Sequence, residues 1–112
     1  MSSSSEIYLD RISKELGVFD HIPTGEDQRL TVTTAAVVQF SVLPSDTMFG
    51  FWTSEDNDIR FTLDGSNPNA NNGHLIIESS VGIWNTAWLS RARFIAIGGT
   101  GIIHMTPGRV HK

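Results

Sequence analysis

The stretch IRFTLDGSNPNANNG, residues 59–73, begins as a strand and ends as turn chemistry. Ile59, Phe61 and Leu63 alternate with Arg60 and Thr62, the period of two that sends one set of side chains to a core and the other to water. Asp64-Gly65 then turns the chain, with the glycine supplying positive φ, and Pro68 holds Asn67 extended. Asn72-Gly73 gives a second tight-turn signal immediately before the next apolar run, HLIIES (74–79). Strand, polar excursion, strand is the pattern of two paired strands joined by a wide surface loop. Its length is cheap, because closure entropy grows only with the logarithm of loop size.

Outward from this stretch, MFGFW (48–52), DIRFTL (58–63), GIWNTAWL (82–89), RFIAIG (93–98) and IIHMT (102–106) read as further short strands. GGTG, between the last two, predicts a tight hairpin turn. Towards the N-terminus, Leu30, Val32, Ala36, Val38, Phe40 and Val42 fall on one side of an alternation, predicting a half-buried strand or strand pair. LPSD (43–46) ends it, Pro44 stopping the ladder and Asp46 placed to bond the turn backbone. Seven or so short strands punctuated by Gly, Pro, Asn and Ser predict a mainly β chain, an antiparallel sandwich of immunoglobulin-like or jelly-roll-like type. Helices are too few for a parallel α/β sheet.

The body of this sandwich is residues 29–112, ending in a basic tail, and residues 1–28 form an N-terminal arm. In SSSSEIYLDRISKELG, Ile7, Leu9, Ile12 and Leu16 recur near the helical period, the serines offer N-caps and Gly17 a stop. A short amphipathic helix over 6–16 is the expectation. Three turns are marginal alone, so its stripe must dock on its own domain or on a neighbouring subunit.

A chain of 112 residues makes one domain with one core. No apolar run approaches the ~20 residues of a membrane span. The start MSSSSEIYLD lacks the basic region and apolar stretch of a secretory signal, so synthesis in the cytoplasm is expected. With no cysteine, disulfides, thiolate nucleophiles and Cys-ligated metals are excluded. The net charge of −4 argues against nucleic acid as the main partner. Its distribution is uneven: residues 44–79 carry Asp46, Glu55, Asp56, Asp58, Asp64 and Glu78 against Arg60 alone, whereas beyond them stand only Arg91, Arg93, Arg109 and Lys112. Either neighbouring strands pair these charges, or one copy of the chain presents its acidic edge to the basic tail of the next.

No catalytic constellation emerges. Glu55, Asp56 and Asp58 are close in sequence, but an EF-hand loop counted from Asp56 needs glycine and glutamate where Phe61 and Asn67 stand. His21, His74, His104 and His111 share no metal-ligand spacing, and His104 alternates with Ile103 and Met105, which sets it on a polar face or an interface. No nucleophile elbow, Walker loop or dinucleotide fingerprint occurs. The expectation is a protein without enzymatic activity, cofactor or metal. Trp52, Trp84 and Trp88 are the candidates for recognition, since indoles stack on sugars and anchor protein interfaces. Core filling is expected for at least two of them, and Trp84 and Trp88 are predicted to share one face of a continuous strand.

RFTLDGSNP resembles the YTLDGSxPT signature of small immunoglobulin-like domains appended to bacterial glycoside hydrolases. RFTLDGSNPNANNGHLI followed by ARFIAI and GIIHMT is more similar to short proteins encoded among tailed-phage structural genes, over about residues 29–106. Asp64, Gly65 and Ser66 match the turn and Pro68 the rigid exit, while Asn69 replaces the usual threonine. The resemblance implies a virion component, foremost a capsid decoration or cement protein that binds the major capsid protein or other virion proteins as a homo-oligomer. A neck or tail adaptor and a carbohydrate-binding module for attachment are the alternatives. In the first reading Ile7, Leu9, Ile12, Leu16, Arg91, Arg93 and Arg109 are the candidate assembly residues.

Overall fold

The computed structural model describes residues 21–110, and the helix expected over 6–16, with Ile7, Leu9, Ile12 and Leu16, lies outside them. Among the described residues the order is β1 (His21–Pro23), β2 (Gln28–Val32), β3 (Phe49–Glu55), β4 (Ile59–Thr62), β5 (His74–Ile76), β6 (Val81–Asn85), α1 (Thr86–Arg91), β7 (Arg93–Ala96) and β8 (Gly101–Val110). Two antiparallel sheets pack face to face. The larger runs β1-β8-β3-β6, with β2 also on β8, and the smaller runs β5-β4-β7. This is the mainly β, sandwich-like domain that the strand spacing predicts.

β1 and β2 lie in tandem along one edge of β8: Pro23 faces Gly108, Gln28 faces Met105, and β3 occupies the other edge. The tandem arrangement explains how β8 runs unbroken through Pro107. Thr24 N donates to the Pro107 carbonyl, so the proline nitrogen, which has no hydrogen to give, faces the gap between β1 and β2.

Inward side chains from both sheets meet in one core. Along β8, Ile103, Met105 and Pro107 are buried and Ile102, His104 and Thr106 are partly exposed, the alternation of a strand with one face packed. Trp84 of β6 stacks parallel to Phe94 of β7 at 6.1 Å, and Phe61 of β4 lies 4.9 Å from the same indole, so aromatic contacts cross between the sheets. Trp52 packs on Trp84 at 5.1 Å and lies flat over Gly82, where an added Cβ would sit 2.6 Å from its ring.

Three expectations need correction. Only Leu30 and Val32 of the 30–42 alternation belong to a strand; beyond β2 the chain crosses to the smaller sheet, where Val38 makes a single bridge to Phe94 and Thr33 accepts from Ala96 N. Ser41 is held by the Gln28 side chain rather than by a ladder, and Val42 is 96% exposed. GIWNTAWL is not one strand, because the Asn85 side chain accepts from Trp88 N at 2.8 Å and starts α1, which Leu89 anchors in the core. GGTG is not a hairpin: β7 and β8 belong to different sheets, and these residues carry the crossover.

Candidate functional site

The 64–73 loop joins β4 to β5, which pair antiparallel, as expected. Gly65 has φ of +85°, and the Asp64 carboxylate accepts from both the Ser66 hydroxyl and the Ser66 N–H. These bonds, the hydroxyl first, hold the Asp64 carboxyl below its ordinary pKa of 3.8. Thr62 donates to the Ser66 carbonyl, and Pro68 is buried. The second turn falls earlier than Asn72-Gly73 implies: Asn69 and Asn72 bridge each other, and the Asn69 side chain accepts from Asn71 N and Asn72 N. The loop's polar groups are thus spent on the loop itself. Arg60 reinforces it from β4, Nε donating to Ala70 O and Nη1 to Gly73 O.

The three tryptophans form a chain from core to surface. Trp52 and Trp84 are 6% and 8% exposed and fill the core, while Trp88, edge-on to Trp84 at 6.1 Å, is 46% exposed on α1. The helix, rather than a shared strand face, brings Trp84 and Trp88 together.

The basic candidates disperse. Arg91 is exposed in the last turn of α1, Arg93 at the start of β7 donates to Asn67 Oδ1 at 3.3 Å, and Arg109 Nε lies 3.5 Å from Asp46 Oδ2. His104 points away from the core beside Glu55, at 3.3 Å. Such exposed pairs contribute little to stability, but they show that part of the segregated charge is paired within the chain.

The outer face of the smaller sheet carries what the sequence reading missed. Leu75, Arg60 and Ile95 stand in one row, by the register of β5, β4 and β7. In the next, Ile77 and Ile97 flank Asp58, whose carbonyl accepts from Ile97 N and whose carboxylate accepts from Glu78 N. Leu75 is 47% and Ile77 61% exposed, and Ile95 and Ile97 are half-buried. Arg60 and Asp58, the two charges in the middle, are tied to backbone groups, so the face is an apolar patch with its charges occupied. The signal was present: Leu75-Ile76-Ile77 is apolar on both sides of the alternation, which a strand with one wet face does not need.

Two grooves flank the domain. One, of about 390 Å³, lies between residues 39–47 and α1 and is lined by Phe40, Val42, Thr86 and Ser90 among others; a second, between Val38 and Arg93, includes Asn67. Neither groove contains a carboxylate or an imidazole. Among the described residues no three His, Asp or Glu side chains converge as a metal site would require. The arrangement can dock an apolar surface; it offers no acid–base pair or activated nucleophile. No family model, no curated protein and no solved structure matches the chain.

Proposed function

We propose that the chain is a structural component of a tailed-phage particle, a decoration or cement protein that binds the outside of the capsid shell through the outer face of β5-β4-β7. The observation that carries this reading is the exposed pair Leu75 and Ile77 on a flat sheet whose central charges are already bonded. Contiguous apolar surface of this kind marks docking sites. The self-bonded 64–73 loop beside it supplies a rigid rim. The similarity of RFTLDGSNPNANNGHLI to phage structural proteins gives the reading its partner.

Co-sedimentation of the purified chain with assembled shells tests it, beside a Leu75→Asp/Ile77→Asp double variant. Wild type is expected to pellet with shells and the folded double variant to stay in the supernatant. If wild type ignores shells, the reading fails; if both pellet equally, the face is wrong. Copy number then separates shell from neck, since a shell protein is present many times per particle and a neck adaptor as a single ring.

A glycan-binding reading is favoured by Trp88 alone, the one tryptophan with an open face. A glycan array with wild type and Trp88→Ala distinguishes it. Signal lost in the variant supports glycan binding, and silence from wild type removes it.

A further inference from the structure

The two sheets differ on their outer faces. In β3, Gly50, Trp52 and Ser54 point inward, so Phe49, Phe51 and Thr53 stand on the face away from the core. Phe49 and Phe51 lie outside the core cluster, yet they are only 7% and 6% exposed. The equivalent face of the smaller sheet leaves Leu75 and Ile77 about half exposed, which is what a bare sheet surface looks like. Cross-strand neighbours do not explain the difference. Phe51 sits between Ile83 and Thr106, and Phe49 between Asn85 and Gly108, which has no side chain. Neighbours in a pleated sheet flank a ring rather than roof it. A further layer must lie on this face.

We infer that residues 6–16 of the same chain are that layer, packing Ile7, Leu9, Ile12 and Leu16 across Phe49, Phe51 and Ile83. The chain arrives at the right place: β1 opens at His21, opposite Val110, and Pro23 faces Gly108, which in turn faces Phe49. The segment's exit is therefore two strands from Phe49, about 10 Å at the usual strand spacing. Residues 17–20 reach up to ~13 Å when extended, enough to climb from sheet edge to sheet face. A helix over 6–16 is about 16 Å long and covers roughly three strands. The docking also supplies what a three-turn helix lacks alone, an apolar surface for its stripe. This inference does not depend on the virion reading. Its consequence is that one outer face is closed by the chain itself and only the β5-β4-β7 face stays open for a partner.

The chain has no cysteine, which makes the test direct. In the full-length protein, Ile83→Cys is combined in turn with Leu9→Cys, Ile12→Cys or Leu16→Cys and oxidised, and the products are weighed without reductant. At least one pair is expected to close within a single chain. Links only between two chains would mean that a second copy supplies the segment, and no link from any pair would mean that something else covers the face; either result overturns the inference. As a second measurement, Ile12→Asp in the full-length chain is expected to speed amide exchange in β3 and β6 by roughly tenfold while β4, β5 and β7 keep their protection. Unchanged exchange in β3 would also overturn it.

Discussion

Gly82 and Trp52 show how a single missing Cβ shapes this core. The indole lies over the glycine, and a methyl group there would stand 2.6 Å from Cζ2 and 2.8 Å from Cε2 of a ring with nowhere to retreat. Gly82→Ala is expected to cost about 1–3 kcal/mol, as overpacking does, read as a lower urea midpoint with unchanged m-value. Asp64 makes a different kind of contribution. Its folded pKa lies below the unfolded value, so whatever the Ser66 bonds add to the loop is present above about pH 3.8 and is lost as pH falls through the lowered value. The carboxylate is fully exposed, so the effect stays in the loop. By NMR titration, Ser66→Ala is expected to move the Asp64 midpoint up towards 3.8, and the same midpoint in both proteins would show that the hydroxyl does not hold it.

At the scale of elements, α1 is the piece most dependent on one side chain. Six residues cannot hold a helix on propensity, and here the Asn85 cap and the buried Leu89 do it together. Asn85→Ala is expected to cost about 1 kcal/mol and to loosen Trp88, seen as a red-shifted and more quenchable tryptophan emission. The same element shows where sequence reading stops. The 59–73 stretch was legible because its information is local: Asp64-Gly65, Pro68 and the asparagines dictate turns wherever they occur. The strand at 93–96 and the exposure of His104 were legible from alternation. By contrast, α1 is shorter than the window in which a helical period can be told from a strand, and its cap was read as part of β6. For 30–42 the alternation was real, but a ladder needs a partner edge, and only β2 has one long enough. GGTG carried turn chemistry without saying which sheet comes next. Of the candidate site, Trp88 was named for its chemistry, while Leu75 and Ile77 went unnamed because exposure is decided by which sheet face has a partner.

For the molecule as a whole, β8 is the strand on which the larger sheet depends. It pairs with β1, β2 and β3, joining residue 21 to residue 110, so the sheet is not closed until the two ends of the described chain meet. Long-range pairing of this kind places folding in the millisecond-to-second range typical of β-sandwiches. It also couples the sheets: Met105 of β8 is fully buried opposite Trp52, Trp52 packs on Trp84, and Trp84 stacks on Phe94 of the smaller sheet. The core therefore has no plane along which one sheet can leave the other intact. Met105→Ala, which removes a buried side chain in the larger sheet, is expected to cost 2–5 kcal/mol, a magnitude of roughly the usual core-truncation size. Both sheets should feel it equally. Far-UV dichroism, which reports all strands, and the fluorescence of the tryptophan cluster are expected to trace one coincident transition, shifted as a unit from wild type. If dichroism instead kept a second, later transition in the variant, the β5-β4-β7 sheet would be stable by itself, and the open face of that sheet would belong to an independently folding unit rather than to the single core described above.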